Sequence, residues 1–240
     1  MDVTTKAIAL RATDYKENDK FVVLYSLEYG KISVHARGVR KGNAKLRYAA
    51  DQFCFGNYEL AVCGDRYTLR NCEQLTSFYA LREDIVAYYA ACAVAECLLY
   101  CTEDGQGEPQ VFVETLRVLE YLTDGKNPLL AVSRFILRFL EVEGFKLDFS
   151  CCSACGQRSA KVYLDAHRGV LCETCRTPDS IAASKLVSAT CSLIGGIDYA
   201  RLNNIDLPLA SQKEVLGTLG KYISAVFRPL KSIEELIKLA

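Results

Sequence analysis

Three observations point to an α+β chain in which a small β-barrel precedes a helical domain with an inserted four-cysteine zinc ribbon. Residues 1–75 read as short alternating strands separated by turn signals. Helical spacing takes over near Thr76 and runs to the end of the chain. Two Cys-x2-Cys pairs interrupt that helical part.

The strands come first. "KAIALRAT" alternates Ala7 and Ala9 against Ile8 and Leu10, and "KFVVLYSL" is rich in β-branched and aromatic residues. "EYGK" marks a turn at Gly30, after which "KISVHARG" alternates again. "DQFCFGNYELAV" predicts a long strand with a bulge or bend at Gly56, and "RYTLRNCEQL" closes the set after "CGDR". Asp14, Glu17 and Asp19 in "ATDYKENDK" read as a solvated turn between the first two strands. Five strands of this size argue for a partly open barrel of the OB-fold type over residues 1–79.

The helices follow over residues 80–240. "SFYALREDIVAYYAACAVAECLLYC" has no breaker; its apolar run is short for a membrane span and carries Glu96, which favours a buried helix. Val111, Leu116, Leu119 and Leu122 mark one face of the next helix, stopped by Asp124-Gly125. Asn127 is placed as an N-cap with Pro128 at the first helical position, and Gly144 as the residue after the helix end. After the cysteine segment at 148–178, "SIAASKLVSATCSLIGG", "SQKEVLGTLGKYISAVF" and "KSIEELIKL" read as helices, with Pro229 between the last two.

Half of the 240 residues are apolar, enough for one large core or two moderate ones. The formal net charge is zero, so no global electrostatic partner is implied. The N-terminal part is mildly basic and the remainder mildly acidic. "MDVTTKAIAL" lacks the pattern of a secretory signal. Most of the twelve cysteines (Cys54, Cys63, Cys92, Cys97, Cys101 and Cys191 among them) therefore read as small buried hydrophobes in a reducing cytosol.

Cys152, Cys155, Cys172 and Cys175 form two Cys-x2-Cys pairs with the spacing of a four-cysteine zinc site. Zn²⁺ takes four tetrahedral ligands, and two tight turns each deliver two thiolates from one side. "KVYLDAHRGVL" between the pairs predicts a hairpin turning near Arg168-Gly169. Cys151 is a bystander, and His167 a surface or turn histidine. Four cysteines close the coordination shell, so the expected zinc is a structural clip rather than a catalytic centre.

Residues 31–47, "KISVHARGVRKGNAKLR", hold Lys31, Arg37, Arg40, Lys41, Lys45 and Arg47 and no acid. Such a cluster attracts phosphates without reading bases. Tyr29, Tyr48, Phe53 and Phe55 lie nearby as candidates for base stacking, or as barrel core. Enzyme signatures are lacking: there is no phosphate-binding G-x-x-x-x-G-K-[ST], no G-x-S-x-G, and only His35 and His167 as histidines.

In this order the pieces resemble the RecO family of bacterial recombination and repair proteins. "DYKENDK", the "EYGK" turn and the "ARGVRK" loop carry the likeness in the barrel; "RFILRFLEVEGFKLDFSCCSACG" and "RPLKS" carry it further on. The resemblance implies a non-catalytic, cytoplasmic, nucleoid-associated protein of a RecF-type pathway. It would bind single- and double-stranded DNA, anneal complementary strands and help load the recombinase onto DNA coated by single-strand-binding protein. The implied partners are DNA, RecR and the C-terminal tail of single-strand-binding protein, with no membrane. Such a tail needs an apolar pocket rimmed by cations; Arg134 and Arg138, one turn apart beside Phe135 and Phe139, are the candidates for that rim. The competing expectation is an adaptor that binds proteins without binding DNA directly.

Overall fold

The computed structural model describes residues 2–240. β1 (Asp2–Tyr15), β2 (Asp19–Ser26), β3 (Gly30–Ala36), β4 (Phe55–Cys63) and β5 (Arg66–Thr76) close into a barrel in the order β1-β2-β3-β5-β4. All neighbours are antiparallel except β3 and β5, which pair parallel through Val34↔Tyr67 and His35↔Thr68. This is the five-stranded OB arrangement. β1 is longer than its alternating stretch suggests. It pairs with β4 through residues 2–8 and with β2 through residues 7–15, with the register shifting between Ala9 and Arg11. That irregularity bends one strand so that it serves two sides of the barrel.

Ala7, Ala9, Val22, Leu24, Ile32, Val34, Tyr58 and Leu60 fill the barrel core. Ile8 and Leu10, on the other face of β1, are buried as well, so that strand does not show the half-exposed pattern its alternation suggests. The bulge at Gly56 is present; a Cβ there would lie 2.5 Å from the Glu73 carbonyl oxygen. Gly30 opens β3 with φ +57°, and its missing Cβ would fall 1.9 Å from the Gln106 carbonyl oxygen.

The described residues pack as two compact units. One runs up to Tyr79 and takes in residues 101–112; the other comprises residues 80–100 and 113–240. The segment 101–112 therefore packs with the barrel, although the sequence reading grouped it with the helices. It is anchored there by Lys31, whose ammonium donates to the Thr102 carbonyl oxygen at 2.7 Å, and by Phe112, which stacks on Tyr25.

The helical unit contains α1 (Ile85–Cys101, up to Tyr100), α2 (Pro109–Leu122, from Val113), α3 (Pro128–Val142), α4 (Lys185–Gly195), α5 (Tyr199–Leu202), α6 (Leu209–Val226) and α7 (Lys231–Leu239). Its centre is α3, buried at almost every position from Leu129 to Leu140 and packed on α4, α5 and α6. Asn127 holds the N-cap position with Pro128 inside the helix, but its side chain does not cap. The amide donates instead to the Leu202 and Ile205 carbonyl oxygens and accepts from Gln212, tying α3 to distant chain. At the other end Phe145 N–H donates to Leu140 O and Gly144 N–H to Glu141 O, the paired bonds of a Schellman turn. Glu96, the acid in the apolar α1, accepts the Ser232 N–H at 2.8 Å, placing a carboxylate at the positive end of α7.

One element differs in kind. Residues 181–183, read from sequence as the start of a helix, form β8 (Ile181–Ala183). With β6 (Val162–Asp165) and β7 (Gly169–Cys172) it makes a sheet ordered β7-β6-β8. Ser184 begins α4 only after that strand, its hydroxyl accepting from Val187 N–H. Cys63 and Cys92 depart from the buried-hydrophobe expectation. Cys63 is exposed beside the Gly64 turn and Cys92 is half-buried, whereas Cys54, Cys97, Cys101 and Cys191 are buried. Among the described residues no helix is long and apolar enough to cross a membrane.

Candidate nucleic-acid interface and metal centre

The basic stretch leaves the end of β3 and winds through turns and a 3-10 helix (Arg47–Ala50) to β4. Val39, Ala49 and Ala50 sink into the barrel core and hold the loop down. Arg37, Arg40, Lys41, Lys45 and Arg47 stay exposed. Lys31 does not join them. It sits at the opposite end of β3, half-buried, and pairs with Asp104 at 3.2 Å. Sequence proximity grouped it with the loop; strand direction separates it.

The acids of the β1–β2 hairpin do more than hydrate a turn. The Asp19 carboxylate accepts the Gly38 N–H at 2.8 Å and sits 2.9 Å from His35 Nε2. The Gly38 amide and, behind it, the His35 contact hold this carboxyl below its usual value. Asp14 pairs with Arg40 at 3.1 Å and reaches Lys20 at 4.0 Å, while Arg40 also donates to the Lys16 carbonyl oxygen. The hairpin thus braces the loop at Gly38 and orients Arg40.

The aromatic residues nearest in sequence are all at least partly covered by the barrel. Phe53 is buried, Tyr48 and Tyr29 pack against the barrel core, and Phe55 packs on Phe112. Alternation allowed this outcome, and closure of the barrel imposed it.

In the helical unit, Cys152, Cys155, Cys172 and Cys175 converge, with all four sulfurs within 4.8 Å of one another. Two turns deliver them. Gly156 N–H donates to Cys152 O, and Arg176 N–H and Cys175 N–H both donate to Cys172 O. A Zn–S bond of about 2.3 Å puts the corners of a tetrahedron roughly 3.8 Å apart. The Cys155 and Cys172 sulfurs are separated by 3.8 Å. Burial opposes ionisation of Cys152, but backbone N–H groups at Cys172, Cys155 and Ala154 outweigh it and bring the thiol down to about 6. The neighbouring sulfurs of Cys172 and Cys155 push Cys175 up to about 12. Four thiols crowded in this way fit a dication that removes their protons. Cys151 lies outside the cluster beside Ser150, and His167 is an exposed turn residue whose N–H bonds to Asp165.

Arg134 and Arg138 part company. Arg134 is buried, ion-paired with Glu114, hydrogen-bonded to the Ile197 carbonyl oxygen at 2.6 Å and stacked 4.1 Å over the Tyr199 ring. Arg138 pairs with Glu141 but remains partly exposed. It lines a groove of about 410 Å³ with Leu137, Lys146, Asp148 and Phe149.

The barrel topology, its braced cationic loop and the four-cysteine cluster of the helical unit define a class: OB-fold proteins extended by a helical domain with a four-cysteine cluster. Family comparison narrows the class. Residues 1–78 match the profile described as Recombination protein O N terminal, and residues 82–234 the one described as Recombination protein O C terminal. The chain belongs to the recombination protein O family, a family of DNA repair and recombination proteins. It is 28% identical over 225 residues to the DNA repair protein RecO of Bacillus pumilus, covering 92% of this chain and 88% of that one. It is 28% identical over 234 residues to the DNA repair protein RecO of Clostridium novyi, covering 96% and 91%. The DNA repair protein RecO of Bacillus subtilis is 27% identical over 220 residues, covering 90% and 86%.

Proposed function

We propose that the barrel binds DNA through the β3–β4 loop and that the protein acts as a recombination mediator in DNA repair. In this reading it anneals complementary single strands and helps load the recombinase onto DNA coated by single-strand-binding protein, working at the nucleoid of a bacterial cytoplasm. The observation that carries the reading is the loop itself. Five cationic side chains, Arg37, Arg40, Lys41, Lys45 and Arg47, stand exposed on a segment that holds no acid before Asp51. Four or five phosphate contacts to a single strand give a salt slope of about −3 to −4. Replacing Arg40, Lys41 and Lys45 by glutamine weakens oligonucleotide binding and flattens that slope. Unchanged affinity removes the loop from the account. The annealing step is tested by mixing complementary strands with the protein, with and without single-strand-binding protein, and following duplex formation. Absence of oligonucleotide binding at physiological salt favours the adaptor alternative.

The four thiolates are read as holding one Zn²⁺. The ion would supply a closed four-coordinate anchor, and Cys152, Cys155, Cys172 and Cys175 would hold it; its work is to fix the β6–β7 hairpin in a segment too small to fold alone. Two protein partners, RecR and the tail of single-strand-binding protein, come with the family reading. The groove beside Arg138 suits an acidic tail with an apolar end, because Arg138 and Lys146 rim a floor that includes Leu137 and Phe149. Arg134 takes no part in that rim because it is buried against Glu114, whereas Arg138 and Lys146, although both pair with Glu141, keep side chains at least partly exposed. Changing Arg138 and Lys146 to glutamate and titrating a tail peptide tests the assignment; unchanged affinity sinks it.

A further inference from the structure

The barrel carries a second feature, one that neither its core nor the basic loop explains. Tyr15, Phe21 and His35 come from three consecutive strands and gather on the outside of the barrel. In β2, Val22 and Leu24 point inward, so Phe21 points out; in β3, Val34 and Ala36 point inward, so His35 points out. Phe21 and His35 are direct cross-strand partners. Their rings stack with centroids 5.0 Å apart at 25°. Tyr15 closes the cluster, 4.7 Å from Phe21 and nearly perpendicular to His35 at 5.5 Å. Burial would favour hiding rings of this size, yet Tyr15 is 38% and Phe21 37% exposed.

The cluster is held rather than loose. Asp19 fixes one edge of the His35 ring, and Arg37 Nε–H lies 3.5 Å from the other ring nitrogen. The Lys16 ammonium sits 5.2 Å from the Tyr15 centroid. The surrounding charge favours an anion. Lys16, Lys20, Arg37, Arg40 and Lys41 outnumber Asp14, Glu17 and Asp19 by two, an excess that the pairing of Asp14 with Arg40 and Lys20 leaves unchanged.

We propose that Tyr15, Phe21 and His35 form a stacking platform for the unpaired bases of a single-stranded nucleic acid. The proposal rests on the DNA-binding reading of the barrel and adds the surface and the strand form. Every base offers a π-face, so aromatic platforms bind strands without sequence preference. In a duplex those faces are covered by neighbouring base pairs, which leaves the platform selective for single strands. Phosphates on either side of a stacked base meet Lys16, Arg37 and Lys41, while the rings take the base itself.

The chain contains no tryptophan, so Phe21→Trp gives a single fluorescent reporter in the platform. Three probes of equal length are titrated into it: oligothymidylate, an abasic phosphodiester strand and a duplex. Quenching by oligothymidylate alone is the expected result. In parallel, Tyr15→Ala combined with Phe21→Ala lowers affinity for oligothymidylate roughly 5- to 100-fold and leaves affinity for the abasic strand unchanged. Tyr15→Phe keeps the stack and the wild-type affinity. Thermal unfolding of each variant confirms that these exposed positions leave the fold intact. Equal binding of oligothymidylate and abasic strand by the wild type, or by the alanine variant and the wild type, overturns the platform while leaving phosphate binding by the loop in place. Binding to none of the probes removes the DNA-binding reading and the platform together.

Discussion

The carboxylate of Asp19, at the start of β2, accepts the backbone N–H of Gly38, nineteen residues on and just past the end of β3, at 2.8 Å. The same carboxylate contacts His35 through its other oxygen. One acid therefore fixes both the last outward ring of β3 and the first turn of the cationic loop.

The first prediction concerns that acid. The Gly38 amide, supported by His35, depresses its folded-state pKa below the ordinary value of 3.8. A depressed carboxylate contributes stability above its unfolded pKa and loses it as pH falls through the folded value. The Gly38 amide shift, followed by NMR, therefore titrates with a midpoint below 3.8. Asp19→Asn abolishes that transition and speeds amide exchange at residues 37–41. A midpoint at or above the ordinary aspartate value refutes the bracing role.

On the proposed zinc reading, removing the metal affects one segment. Chelation, or Cys155→Ser, is expected to release residues 148–178 into rapid hydrogen exchange, because the β6–β7 hairpin has little core of its own. Exchange in β1–β5 stays as it was. Cys151→Ser leaves metal content unchanged, since its sulfur stands outside the four-thiol cluster. Loss of metal on Cys151→Ser alone would reassign the ligands.

Two arginines one turn apart differ widely in cost. Arg134→Ala leaves the buried Glu114 with only the longer contact to the exposed Arg117 at 3.9 Å and costs about 3–5 kcal/mol in urea unfolding. Arg138→Ala removes a partly exposed i,i+3 pair with Glu141 and costs about 0.2–0.5 kcal/mol. Equal losses at the two positions would contradict the burial difference.

Gly30→Ala tests how the barrel receives residues 101–112. The left-handed backbone costs roughly 1–2 kcal/mol for any other residue, and a Cβ meets the Gln106 carbonyl oxygen at 1.9 Å. Unfolding of the variant at lower urea, with increased exchange at 104–107, is the expected result. A near-neutral change would show that the segment gives way easily.

The cysteine pairs, the bulge at Gly56, the helix end at Gly144 and the hairpin at Gly169 were legible because each is decided within a few residues. Spacing fixes which thiolates a turn can deliver, and a missing Cβ fixes where a chain can turn or approach closely. Residues 181–183 were misread because a three-residue apolar run has no period of its own; pairing with β6 made it a strand. The cap at Asn127 was placed correctly, but its chemistry was diverted by carbonyls seventy-five and more residues away.

What the sequence determined by itself is the order of elements apart from β8, the OB-type strand set, the four metal-ligand candidates and the cationic loop. The tertiary structure decided which side chains face outward. Parallel pairing of β3 with β5 closes the barrel, Phe53 is buried, and Tyr48 packs against the barrel core. The antiparallel register of β1, β2 and β3 brings Tyr15, Phe21 and His35, scattered over twenty-one residues, onto one outer patch. The run of β3 takes Lys31 away from the other cations, and helix packing buries Arg134 on Glu114. Composition and spacing specify local geometry, but exposure is a property of what packs on top, and that is set by contacts between residues far apart in the chain.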